Sequence, residues 1–164
     1  MANAYVAPIL DAIQTILVAN YNTRIDDIST SIPDWQTAMI SKYRIEQAID
    51  PPWISVFPFG DSVHDSQVEI GTLFDANWQI ATVIDAQGED AGQLQTYLDI
   101  YLTALIRTLT KGSTGLEWTF NQTADIVILT RTGFEPLDED EQGTIYGAAY
   151  AIWECITTND PVNE

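Results

Sequence analysis

Basic residues are scarce in this chain of 164 residues: six lysines and arginines stand against 24 aspartates and glutamates, a formal net charge of -18. A surface so short of cations repels phosphate backbones, which argues against specific nucleic-acid binding. A single cysteine, Cys155, excludes an intrachain disulfide and any CxxC metal cluster. It sits in an apolar, strand-like run and reads as a buried, inert thiol. The one histidine, His64, is far from it in sequence, so no Cys–His dyad is expected, and no GxSxG or SxxK motif offers a serine nucleophile. GxxxxGK and GxGxxG are missing too, and with them a phosphate cradle. No run approaches the roughly 18 apolar residues of a membrane span. No basic region precedes the apolar stretch near the N-terminus, so the chain reads as kept in the cytosol or in a particle assembled there.

Two clusters could carry a cation. His64 lies between Asp61 and Asp65, but three ligands in one loop rarely close a site, and the expected reading is a solvated turn. Residues 133–143 hold Glu135, Asp138, Glu139, Asp140 and Glu141 without the ligand alternation and central glycine of a calcium loop. Mutual repulsion predicts a mobile loop there.

What the sequence does contain is patterned. Nearly half of it is apolar, enough for one domain with its own core. The clearest element spans residues 90–112. Leu94, Tyr97, Leu98, Tyr101, Leu102, Leu105 and Leu109 recur at spacings of three and four, a single apolar stripe on a helix. Asp90 and Gln93 suit its start, Gly112 its end, and Arg107 and Lys111 its negative dipole terminus. Ile9, Leu10, Ile13, Ile16 and Leu17 predict a first helix over residues 8–20, followed by a polar loop over 22–32. A second helix is predicted from an Asp34 cap to Ile49, ended by Pro51 and Pro52, so residues 22–50 read as an insertion. Strands are predicted at 53–59, 68–74, 78–84, 116–121, 126–132 and 144–157. Residues 85–89 would form a short connection into the long helix, and 159–164 a polar tail. The fold class that follows is α+β: a mixed, mainly antiparallel sheet with the long central helix and the N-terminal helix packed on it.

Five tryptophans and seven tyrosines supply contact surface. Trp118 and Trp153 fall in strand alternation and are expected to pack against helices, whereas Trp35 and Trp53 flank loops and are candidate partner contacts.

The succession AYVAPILDAIQTILVANY, WISVFPFG, WQIATVID running into DAGQLQTYLDIYLTALIRTLTKG, and the closing GTIYGAAYAIWECITT resembles the tail terminator or tail-completion proteins of long-tailed bacteriophages, the lambda-type and related terminators. The resemblance spans residues 4–158. It implies a non-enzymatic virion protein without cofactor, an α+β subunit that forms a homo-oligomeric ring of six. Such a ring caps the tail tube protein and joins it to the head–tail connector or adaptor. DNA would pass the ring without being gripped, and Glu135, Asp138, Glu139, Asp140 and Glu141 would line the channel or meet a neighbouring ring. A head-completion or connector ring and an acidic DNA mimic are the alternatives.

Overall fold

The computed structural model describes residues 6–42, 52–59, 63–64, 74–110 and 126–159. The expected strands at 68–73 and 116–121, the end of the long helix at Lys111 and Gly112, Trp118, Asp61, Asp65, residues 43–49 of the expected second helix and the tail from 160 lie outside them.

The long helix forms as the stripe predicts. Helix α2, Ala91–Thr110, buries Leu94, Leu98, Tyr101, Leu102, Leu105 and Leu109 along one side. Asp90 caps it, its Oδ1 accepting the Gln93 N–H at 2.7 Å. Helix α1, Ala7–Ile28, starts at a proline-bearing first turn but runs eight residues beyond the predicted end at Asn20. Tyr21 and Ile25 continue its apolar face and are fully buried. Burying one such side chain is worth about 1.5–3 kcal/mol, against the few tenths lost to indifferent helix formers such as Asn22, Thr23 and Asp26. The polar lettering of 22–28 therefore marks the outer side of a helix, not a loop.

The second expected helix does not form over residues 34–42. Thr37–Met39 make one 3-10 turn and Ile40–Lys42 form strand β1. Trp35 and Ile40 are buried while Ala38 is exposed. Helix α1 holds the segment in its extended form. The Asn22 side chain accepts the Trp35 N–H at 2.7 Å and donates to the Trp35 carbonyl at 2.9 Å. Gln14 donates to the Ile40 carbonyl, and Lys42 pairs with Asp11. Asn22→Ala removes both bonds to Trp35, and is expected to lower unfolding stability by about 1–3 kcal/mol at a net 0.5–1.5 kcal/mol each. Urea denaturation checks this, and an unchanged midpoint would contradict it.

Among the described residues seven strands make one mixed sheet: β1, β2 (Trp53–Pro58), β3 (Val63–His64), β4 (Phe74–Gly88), β5 (Ile126–Phe134), β6 (Asp138–Glu139) and β7 (Ile145–Asn159). The path is β1-β2-β4-β7-β5, with β3 on β4 and β6 on β7. Only β1 and β2 run parallel. The axis of the sheet is the antiparallel ladder of β4 with β7, continuous from Phe74↔Asn159 to Gly88↔Ile145. It absorbs residues 85–88, expected as a connection, because β7 is long enough to pair them. Val63 and His64, expected in a loop, pair with Asn77 and Ala76.

Both helices cover one face. Ile54, Val56, Ile80, Ile84, Ala149, Ala151 and Trp153 point into that layer and form one core with the helical stripes. Room for α2 comes from small residues on β7. A Cβ on Gly147 would lie 2.7 Å from methyl groups of Leu98 and Leu137. Trp153 fills the centre, its indole N–H donating to Thr82 Oγ1 at 3.1 Å while Thr82 donates to the Ala151 carbonyl at 3.0 Å. A second knot ties the helices together. Tyr21 donates to the Tyr101 carbonyl at 2.8 Å, Tyr101 donates to the Pro33 carbonyl, and the Trp35 ring stands edge-on to both tyrosines. Burial, and then neighbouring Tyr97 and Asp34, push the Tyr101 phenol up to about 12, so it remains a neutral donor.

Candidate functional site

The opposite face of the sheet receives neither helix. The side chains that alternate with the core set meet there: Trp53, Ser55 and Phe57 from β2, Ala81, Val83 and Asp85 from β4, and Tyr150 and Ile152 from β7. With Phe59, Arg131 and residues 134–136 they line a groove of about 590 Å³. Its floor is closed, since Ser55 and Ala81 are each 2% exposed. Its rim is open, with Phe59 44% and Phe134 41% exposed, two of the largest apolar side chains on the described surface.

Three local devices shape the groove. Trp53 stands directly across from Asp85, and its indole N–H donates to Asp85 Oδ2 at 2.8 Å, so a carboxylate is fixed in an otherwise aromatic wall. Strand β5 carries a bulge between Leu129 and Arg131, with the Thr130 hydroxyl bonded to the Ile152 carbonyl at 3.0 Å. In a regular strand Arg131 would share the core-facing side of Leu129; the extra residue turns it onto the groove side, paired with Ile152. There its guanidinium lies 5.7 Å from the Tyr150 ring centre, a cation–π contact. Gly133, opposite Tyr150, is the third device. A Cβ there would come within 2.5 Å of the Tyr150 hydroxyl, so only glycine lets that ring lie flat across its neighbour.

The acidic run enters the groove lining at Glu135 and is held by backbone pairing, which corrects the expected mobile loop. Strand β5 extends to Phe134, Glu135 N–H bonds the Ala148 carbonyl, and β6 pairs Asp138 and Glu139 with Tyr146 and Ile145. One of the five acids builds the turn. Asp140 Oδ1 accepts the N–H groups of Gln142 and Thr144, both at 2.9 Å, and Oδ2 accepts the Tyr146 hydroxyl at 3.2 Å, while Gly143 takes φ +83°. Asp140 holds these donors, which fixes the turn despite the neighbouring acids. Glu135, Asp138, Glu139 and Glu141 remain exposed.

These bonds, the Thr144 N–H foremost, hold the Asp140 carboxyl below the usual carboxylate range. A carboxyl whose folded pKa is depressed stabilises the fold above its unfolded value, and that support disappears as pH falls through the folded value. The turn is therefore expected to loosen below the ordinary Asp range while the β4–β7 ladder persists. Amide exchange at Gln142 and Thr144 measured down the acid limb reports it; rates that stay flat to the lowest pH would count against the role given to Asp140.

Of the two tryptophans expected to meet partners, Trp35 is 4% exposed inside the helical layer, which makes it a core residue. Trp53 is 9% exposed in the groove wall, so only something that enters the groove can reach it. Trp153 and Trp78 are buried in the core. Cys155 is buried, and burial followed by Glu154 pushes its thiol up to about 12, leaving it protonated at neutral pH. Among the described residues no three His, Cys, Asp or Glu side chains stand together as metal ligands, and no helix is long and apolar enough to cross a membrane.

One signal for the groove is present in the sequence. WISVFPF is apolar in both registers apart from Ser55, which suits a strand buried on two sides. Compared with protein-family models and with curated proteins, the chain matches none.

Proposed function

We propose that the chain is a structural, non-enzymatic virion subunit, a phage tail terminator that forms a ring of about six copies between tail tube and head connector. The observation that carries this reading is the division of the sheet. One face is covered by α1 and α2, and the other offers an aromatic groove whose lining runs through Glu135 into the acidic hairpin. Such a surface suits contact with another protein better than turnover of a small substrate, because aromatic side chains dominate its wall and Asp85 within that wall is bonded to the Trp53 indole. The order helix, paired strands, helix, paired strands also agrees with the resemblance in the sequence.

A head-completion or connector ring remains the variant of this reading at the same junction. A second reading, the acidic DNA mimic, draws support from one feature: Glu135, Asp138, Glu139 and Glu141 are displayed by a hairpin of fixed shape.

Light scattering behind a sizing column, with negative-stain images of the peak, tests these readings. Rings of about six subunits, alone or once tail tubes are added, would support the terminator. A monomer or dimer that ignores tubes and blocks a DNA-binding enzyme would replace it with the mimic.

A further inference from the structure

We infer that the groove is a docking seat for a basic segment of a different protein, one that carries apolar side chains between its lysines or arginines. This goes beyond the terminator reading and stands whether or not a ring forms. The floor and rim dictate the apolar part. Trp53, Phe57, Phe59, Phe134 and Tyr150 present aromatic surface to whatever enters, with the two rim phenylalanines more than two-fifths exposed.

The charges dictate the basic part. Two carboxylates, Asp85 and Glu135, line the groove against one cation, Arg131, whose guanidinium is directed at Tyr150. Beyond Glu135, exposed Asp138 pairs with Tyr146 and so shares the side of β7 that carries Tyr150 into the groove. Carboxylates are thus in excess at the mouth, and an incoming ammonium or guanidinium group meets them before the aromatic floor.

A second copy of this chain fits poorly. It brings a net charge of -18 and six basic residues in all, of which Arg24 and Lys42 already pair with their own Asp27 and Asp11. The order of the hairpin adds to the argument, since a fixed rim costs less to organise on binding than a mobile one.

The test uses the full chain and a fluorescently labelled ten-residue peptide alternating lysine with leucine, beside the same peptide with glutamate for lysine. Anisotropy titrations at low and high salt give the affinities. The lysine peptide alone should bind, more weakly as salt rises. Exchanging both exposed rim residues, Phe59→Ser with Phe134→Ser, should weaken it about tenfold or more while thermal melting stays unchanged. Glu135→Lys should weaken it about tenfold, whereas Asp26→Lys, on exposed helix surface, serves as the control for diffuse attraction and should act far less. Four results would overturn the proposal: no binding of the lysine peptide; equal binding of both peptides; equal losses for Glu135→Lys and Asp26→Lys; or a rim variant that alters the protein's own oligomeric mass while leaving peptide affinity intact. The last would assign the groove to a second copy.

Discussion

Trp153→Ala is expected to cost about 3–5 kcal/mol of unfolding free energy, the range for emptying a large aromatic site in a core that cannot collapse. For a chain of this size that lowers the melting temperature by on the order of 10 °C. Trp153 is 1% exposed and lies where β4, β7 and β5 run side by side, paired with Ile80 on one flank and Leu129 on the other. Strands on both sides and helices above leave the cavity nothing mobile to fill it. The polar end of the ring adds a sharper contrast. Trp153→Phe keeps most of the volume but vacates the acceptor at Thr82, whereas Thr82→Val strands the indole N–H in the core, which costs about 1–3 kcal/mol. The double variant should therefore lose less than the sum of the two. Strict additivity by denaturant titration would show that the Trp153–Thr82 bond contributes nothing.

Trp35→Ala should rank beside it, at about 3–5 kcal/mol, and here the measurement decides between two roles. A residue wedged between Tyr21 and Tyr101, with ring centres 5.9 and 4.9 Å away, belongs to stability. A residue at an interface would leave folding untouched and weaken assembly instead. Trp35→Phe refines the test. The Trp35 indole N–H is buried and finds no acceptor among the described residues, so its removal forfeits no hydrogen bond. Trp35→Phe should thus be milder than Trp153→Phe, although both delete the same atoms. A stable Trp35→Ala that fails only in assembly would move Trp35 back to the surface.

The α+β class, both helices and the long strands are legible in the sequence because each rests on a period: three and four for Leu94 to Leu109, two for Tyr146 to Trp153. What period cannot show is partnership. The reach of α1 past Asn20 depends on Tyr21 finding Tyr101 across the helical layer, a contact eighty positions away. Trp35 looks like an exposed loop residue until Asn22 is seen clasping its backbone. Counting charges over residues 135–141 predicts repulsion, and only the placement of Gln142, Thr144 and Tyr146 around Asp140 reverses it. The groove was half visible, in the two-sided WISVFPF strand. Its cation was not: Arg131 faces the groove through one unpaired residue of a bulge, and nothing in IVILTRT announces that change of side.

The ladder between β4 and β7 also sets the order in which the molecule can come into being. Phe74 pairs with Asn159 and Gly88 with Ile145, so the middle of the sheet closes only after α2 and β5 have been made. Long-range pairing of this kind slows folding. On the ribosome, β4 must wait with one edge bare while the chain that will cover it is still being synthesised. The helix α2, rich in local contacts, is the element able to form in that interval and shield the apolar side of the strand before it. A nascent chain halted before residue 145 lacks every partner for that edge and is exposed to aggregation. Among the described strands β7 is the last to be made, and it is the one that commits the sheet to its shape.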